Sequence, residues 1–323
     1  MKAIVQDTYG STDVLELRDI SQPGIADDEV LIRVQAAGVD RGVWHLMTGL
    51  AYPIRLAGYG FRAPKTPVPG MDLAGVVTAV GSSVTRFRPG DEVFGIGKGA
   101  YAEYARAPEN KLAPKPANLT FEQAAAVAVS GLPALQGLRD HGHIQPGQKV
   151  LIIGASGGVG TFAVQLAKAF GAEVTAVCST TKADMVASIG ADHVIDYTRA
   201  DFADGQRRYD LILDIGGNSP LARLRRALTP AGTLVIAGGE TGGKWLGGTD
   251  RQLRALVLSR FTSQKLTTFI SRENHEDMLF LTELIEAGKI TPVIDRTYPL
   301  AQAPQAIDYL TQGHARGKVV ITI

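Results

Sequence analysis

The stretch VLIIGASGGVGTFAVQLAKAFGAEVTAVCS, residues 150–179, constrains the fold more than any other. An unbroken apolar run reads as a buried strand, and a glycine-rich turn follows it. A helix then runs from Gly158 to Phe170, and EVTAVC reads as a second strand. Within the turn, Ala155-x-Gly157-x-x-Gly160 has the spacing of a dinucleotide fingerprint with alanine at its first position. Gly157 lets backbone approach a pyrophosphate, and Gly160 lets the helix pack closely on the sheet. Ser156, Gly158 and Val159 complete a turn whose amides and helix N-terminus face the anion.

The surrounding pattern extends this unit. HVIDY, YDLILDIGG, TLVIAGG and KLTTFI continue the series to six strands, separated by helical segments. Apolar strands without alternation predict a parallel sheet covered on both faces. The chain is therefore α/β, with a doubly wound six-stranded Rossmann domain over residues 123–268. Residues 1–122 and 269–323 form a second, discontinuous domain, because EVLIRVQAAGV, DLAGVVTAVG, DEVFGIG and AYAEYARAP read as short strands and GKVVITI returns to that composition. No helical period of any length precedes Leu119, and the stretch from His45 to Gly70 has no clear period. Thr120 and Gln123 have capping-box spacing for the helix that follows.

The end of the second Rossmann strand selects the dinucleotide. NAD sites usually place an acid there for the ribose 2′-hydroxyl. This chain has Ser179, Thr180 and Lys182, which offer two hydroxyls and a charge to a 2′-phosphate. NADPH is the expected cofactor.

Bulk properties exclude other classes. Among 323 residues the net charge is +1, so no global field favours nucleic acid or an acidic membrane surface. No apolar stretch is long enough to span a bilayer, and the first residues contain no secretory h-region. One cysteine, Cys178, leaves no disulfide framework and no multi-cysteine metal site. A cytoplasmic location is expected.

AAGVDRGVWH, VPGMDLAGVV, RPGDEVFG, AAAVAVSGLPALQGL, GASGGVG and GADHVIDY together resemble the medium-chain dehydrogenase/reductase superfamily, end to end. Within it the chain resembles the zinc-free quinone oxidoreductase branch, which includes zeta-crystallin and the chloroplast-envelope oxidoreductases. The resemblance implies a GroES-like, β-rich catalytic domain beside the Rossmann domain. In zinc relatives a cysteine ligand stands at the place of Asp40, and Gly-His-Glu at Gly70-Met71-Asp72. The cysteine and histidine ligands are thus replaced, and no zinc is expected. Asp72 reads as a retained acid paired with an arginine or with backbone donors. His141 and His143 read as ordinary surface residues.

Without a Lewis acid, reduction of a conjugated acceptor is easier than oxidation of a simple alcohol. The resemblance implies the same chemistry: an NADPH-dependent enzyme transferring hydride to a quinone or other conjugated carbonyl. An enoyl or alkenal reductase is the near alternative, and an NADPH-binding structural or regulatory protein with little turnover is the distant one. Asp40 is a catalytic candidate if protonated, and a structural residue if paired, for instance with Arg41. Tyr52 is a second candidate donor. Trp44, Phe61 and Met71 are candidates for the substrate wall. By match to the family, Tyr197 approaches the adenosine phosphate, Ala237, Gly238 and Gly239 pass the nicotinamide ribose, and Arg316 or Lys318 reaches the nucleotide. Pro133 stands where relatives commonly carry a threonine. The resemblance also implies a homodimer, with GTLVIAGG as an edge strand.

Overall fold

A computed structural model describes residues 1–50, 52, 55, 59–217, 219–238 and 247–323. Gly239 lies outside the described residues. The chain divides into two compact units. The first comprises Met1–Leu132, Glu273–Gly288 and Pro292–Ile323, and the second Pro133–Arg272 with Lys289–Thr291. The crossings fall after Leu132 and after Arg272, where the sequence suggests 122 and 268.

In the first unit a seven-stranded sheet runs in the order Ile294–Pro299, Lys318–Thr322, Glu29–Val39, Asp72–Val80, Glu92–Ile96, Leu112–Pro114, and Tyr104–Pro108 also pairs with Glu29–Val39. Pairing is antiparallel except between Ile294–Pro299 and Lys318–Thr322. Those two are parallel because the helix Ala303–Thr311 connects them, as a parallel crossover requires. Its Ala303, Ala306 and Ile307 are buried in the same core as Ile32, Val34 and Leu73.

The helix Arg41–Thr48 corrects the expectation of an all-strand first third. It is only eight residues long, so a single i,i+4 pair, Val43 and Met47, carries its buried face. That is too little for a legible period. Thr120 and Gln123 form the capping box their spacing implies. The helix His275–Glu286 buries Met278, Leu281 and Ile285.

The second unit is a six-stranded parallel sheet in the order His193–Asp196, Glu173–Cys178, Lys149–Ile153, Tyr209–Asp214, Leu228–Ile236, Lys265–Thr268. This is the doubly wound order, with its direction reversing between Lys149–Ile153 and Tyr209–Asp214. GTLVIAGG therefore does not supply an edge, because Leu228–Ile236 pairs on both sides. The edge strands are Lys265–Thr268 and His193–Asp196. His141 is half-buried and stacks on Phe269 at 4.5 Å between ring centroids, so it is not the free surface residue expected.

Candidate active site

The two units each carry a set of residues suited to chemistry. In the second unit, Gly157 caps the helix Gly158–Ala169 from an extended conformation, leaving the first-turn amides open. The two fingerprint glycines differ in what a side chain would meet. A Cβ on Gly160 would stand 2.1 Å from the Gly154 carbonyl oxygen, so the helix can approach the strand only if this residue is glycine. A Cβ on Gly157 would meet nothing of the protein closer than 3.7 Å. Packing within the unit does not require glycine there, whereas close approach of an anion does. The turn fits a dinucleotide pyrophosphate. Ala155 and Ser156 are buried, and the Ala155 amide donates to the Val177 carbonyl at 3.2 Å.

At the end of the second strand, Ser179 makes no side-chain cap to the short helical turn Thr180–Lys182. The Thr180 hydroxyl bonds to Asp196, the last residue of the neighbouring strand. This acid is invisible to a reading of the second strand alone, because parallel register brings Asp196 beside Cys178. Its carboxyl is held below the usual range by the hydroxyls of Thr180 and Thr198 and by the Thr198 amide, with Arg199 3.5 Å away. Its charge is thus turned onto local donors. Tyr197 is exposed, and Lys182 half-buried.

A further device at the carboxyl ends of the strands has no signature in the sequence. Asp214 is fully buried and accepts from Arg251 Nη2 at 2.7 Å and from the Gly217 amide at 3.1 Å. Arg251 also donates to the Ser219 carbonyl at 2.7 Å and to the Gly238 carbonyl at 3.4 Å. The Ala237 amide donates to the Asp214 carbonyl at 2.9 Å. One ion pair therefore fixes the two loops that follow adjacent strands, including Ala237 and Gly238.

In the first unit, three neighbouring strands bring Asp40, Asp72 and Lys318 to the same end of the sheet. Val39 pairs with Val319, and Ala37 with Leu73, so the residues flanking those pairs converge. Lys318 Nζ donates to Asp72 Oδ2 at 3.0 Å, with both side chains buried. Asp72 thus pairs with a lysine rather than the expected arginine, and of the expected backbone donors Val129 acts on its carboxyl. Lys318 is not at the surface either, and its ammonium is committed to Asp72. Gly38 permits this packing, since a Cβ there would stand 2.7 Å from Asp72 Oδ2 and 2.5 Å from the Ala125 carbonyl oxygen.

Asp40 caps the helix Arg41–Thr48, its Oδ1 accepting from the Val43 amide at 3.1 Å. Asp40 Oδ2 and Asp72 Oδ1 are buried without hydrogen-bond partners among the described residues. Burial raises the Asp40 carboxyl, against the attraction of Lys318. Burial likewise raises Asp72 to about 6, again against Lys318, with Asp40 adding to the rise. Tyr101 is fully buried beside them, its hydroxyl donating to the Gly38 carbonyl at 3.3 Å. Burial pushes its phenol well above the usual range.

Met71 lines a cavity of about 520 Å³ within this unit, together with Tyr59, Leu46 and Met47. Asp40, Trp44 and Phe61 are not in its wall. Trp44 is half-buried against the core and meets His45 edge-on at 4.9 Å, whereas Phe61 is exposed. Tyr52 packs under the Arg55 guanidinium at 5.1 Å. Arg316 is exposed, and its amide donates to Asp295. Among the described residues no group of three or more His, Cys, Asp or Glu is placed to hold a metal ion. The side chains here are a methionine, a helix-capping acid and an acid bound to lysine, a donor set that does not fit catalytic zinc.

These features define a nicotinamide-dependent oxidoreductase: a doubly wound dinucleotide unit joined to a β-rich unit with a buried polar cluster and a cavity. The alcohol dehydrogenase GroES-like domain family matches residues 26–117, and the zinc-binding dehydrogenase family residues 189–321. The tomato (Solanum lycopersicum) 2-methylene-furan-3-one reductase is 35% identical over 99% of this chain and 79% of its own length. A chloroplastic quinone-oxidoreductase of Triphysaria versicolor is 31% identical over 99% of this chain and 98% of its own. The solved quinone oxidoreductase of Coxiella burnetii superposes with a TM-score of 0.86 at 28% identity, covering 100% of this chain and 99% of that one. The chain belongs to the medium-chain dehydrogenase/reductase superfamily, in its quinone oxidoreductase branch, and is an oxidoreductase.

Proposed function

We propose that the chain reduces quinones or enones with NADPH, without zinc. The observation that carries this reading is the Asp72–Lys318 pair beside Met71. The acid at this place is committed to a lysine, and among the described residues no group of three or more His, Cys, Asp or Glu is placed to hold the metal that would polarise an alcohol. An acceptor whose reduced anion is delocalised needs no such help. Relatives named for a quinone and for 2-methylene-furan-3-one support both acceptor types. Bound nicotinamide supplies the hydride.

The proposed cofactor residues are the turn Ala155, Ser156, Gly157, Gly158, Val159 and Gly160, with Ser179, Thr180, Lys182 and Tyr197 at the adenosine end. Ala237, Gly238 and Gly239 are proposed for the nicotinamide ribose, and Arg316 for an outer phosphate contact. NADPH is favoured because the second strand ends without an acid and Asp196 is occupied by its own donors. Asp40, whose Oδ2 has no partner among the described residues and which lies next to the cavity-lining Met71 at Gly42, is the proposed source of the proton that balances the hydride. Asp40→Asn keeps a capping side chain and removes that proton. Steady-state oxidation of NADPH with a quinone panel and an enone panel tests the activity. Consumption of neither acceptor with tight NADPH binding would overturn it in favour of a binding protein.

The edge strand Lys265–Thr268, flanked by exposed Phe261 and Ile270, supports a homodimer formed by strand pairing. Sedimentation of the wild type and of Thr267→Pro tests this, and an unshifted mass in the variant refutes it. Among the described residues no helix is long and apolar enough to cross a membrane. We propose the cytoplasm as its compartment, which fractionation tests.

A further inference from the structure

The cavity beside Met71 is apolar on one part of its wall and strongly basic on another. Lys65, Lys98, Arg106 and Lys111 all line it. Lys98 and Arg106 face each other across an isolated bridge and share a single buried acid, Glu29, at 3.6 and 3.0 Å. One carboxylate cannot neutralise two cations. Lys111 is paired with Glu273 at 2.5 Å, whereas Lys65 is exposed with no carboxylate in ion-pair range among the described residues. Among the described residues the wall thus carries an excess of two positive charges after its ion pairs are counted.

Lys65 and Lys98 are exposed, and the Arg106 and Lys111 side chains are more than a third exposed, so their charge is open to an anion entering the cavity, which a neutral quinone or enone would leave unused. Tyr59, Leu46, Met47 and Met71 suit a planar or aliphatic body. Exposed ammonium and guanidinium groups suit a carboxylate or phosphate.

We propose that this cavity selects acceptors carrying an anionic group, a carboxylate or phosphate, attached to the apolar body that bears the conjugated carbonyl. This deepens the reductase reading and rests on it for the reacting end of the molecule. The basic wall holds the anion, and the apolar wall beside Met71 holds the part to be reduced.

The test uses three matched enones: benzylideneacetone, its para-carboxylate and its para-phosphate. With the full chain and NADPH, kcat/KM is expected to be about tenfold higher for at least one anionic form, the effect of one charge-assisted contact. The better anion identifies the source. The preference should shrink as salt rises. In Lys65→Gln/Lys98→Gln the ratio of anionic to neutral kcat/KM should fall about tenfold. Reduction of all three at equal rates overturns the inference and leaves the reductase reading standing. If no acceptor is reduced, the reductase reading fails instead. Calorimetry with benzylacetone and its para-carboxylate, which lack the alkene, then decides the inference separately. About tenfold tighter binding of the carboxylate supports it, and equal binding refutes it.

Discussion

Lys318 reaches back across 246 residues of sequence to hold Asp72 at 3.0 Å in the interior of the first unit. Two buried acids, Asp40 and Asp72, face this one ammonium, so the cluster is short of positive charge when both are ionised. Burial first, and the Asp40 charge after it, raise the Asp72 carboxyl from 3.8 to about 6 against the attraction of Lys318.

A raised acid makes the folded state the better proton binder. This contribution to stability is full below pH 3.8 and is lost as pH rises through about 6, to a limit of roughly 3 kcal/mol. Urea unfolding at about pH 5 and about pH 8 should show greater stability at the lower value from this group. Asp72→Asn should flatten that difference, and the loss of stability from leaving Lys318 without this carboxylate should be smaller at about pH 8 than at about pH 5. Adding Lys318→Met to the variant should recover part of the loss. An unflattened pH difference in Asp72→Asn would assign the titration to another group.

The two fingerprint glycines should separate binding from folding. Gly160→Ala forces a methyl against the Gly154 carbonyl and is expected to cost about 1–3 kcal/mol. Gly157→Ala meets no protein atom closer than 3.7 Å, so Tm should hold while NADPH affinity falls at least about tenfold. Thermal melts and fluorescence titration read the two effects, and parallel losses in both variants would contradict the distinction.

Lys182→Glu reverses a charge at the adenosine end. NADPH should weaken by about a hundredfold and NADH by less than about threefold, since only the former carries a 2′-phosphate. Equal losses would remove Lys182 from phosphate recognition.

Arg251→Met leaves Asp214 buried and unpaired, an expected cost of about 3–5 kcal/mol. It also frees the Ser219 and Gly238 carbonyls, so NADPH affinity should fall as well. The double variant Asp214→Asn/Arg251→Met should regain stability without regaining affinity. Affinity restored along with stability would show that the loops need no such anchor.

The parallel unit was legible because its information is local. Each strand is an unbroken apolar run, and the glycine turn declares its own geometry within seven residues, from Gly154 to Gly160. The cluster in the first unit was not, because its members meet only through strand register. Nothing near Lys318 in the sequence marks it as buried, and GKVVITI reads equally well with an exposed lysine. Asp196 escaped for the same reason, since it joins the Thr180 loop from the next strand. Met71 stood out because a motif made its position comparable with relatives, whereas Arg251 belongs to no motif.

The strand Lys318–Thr322 lies between Ile294–Pro299 and Glu29–Val39 rather than at a sheet edge. During synthesis the ribosome delivers Glu29–Val39 and Asp72–Val80 long before this partner exists. The strands of the second unit emerge in the interval and find all their partners within it. The second unit can therefore complete its sheet while Ala36–Val39 of the first unit's central strand still lacks its partner on one edge. That order of birth makes the early nascent chain the species most exposed to chaperones and to aggregation.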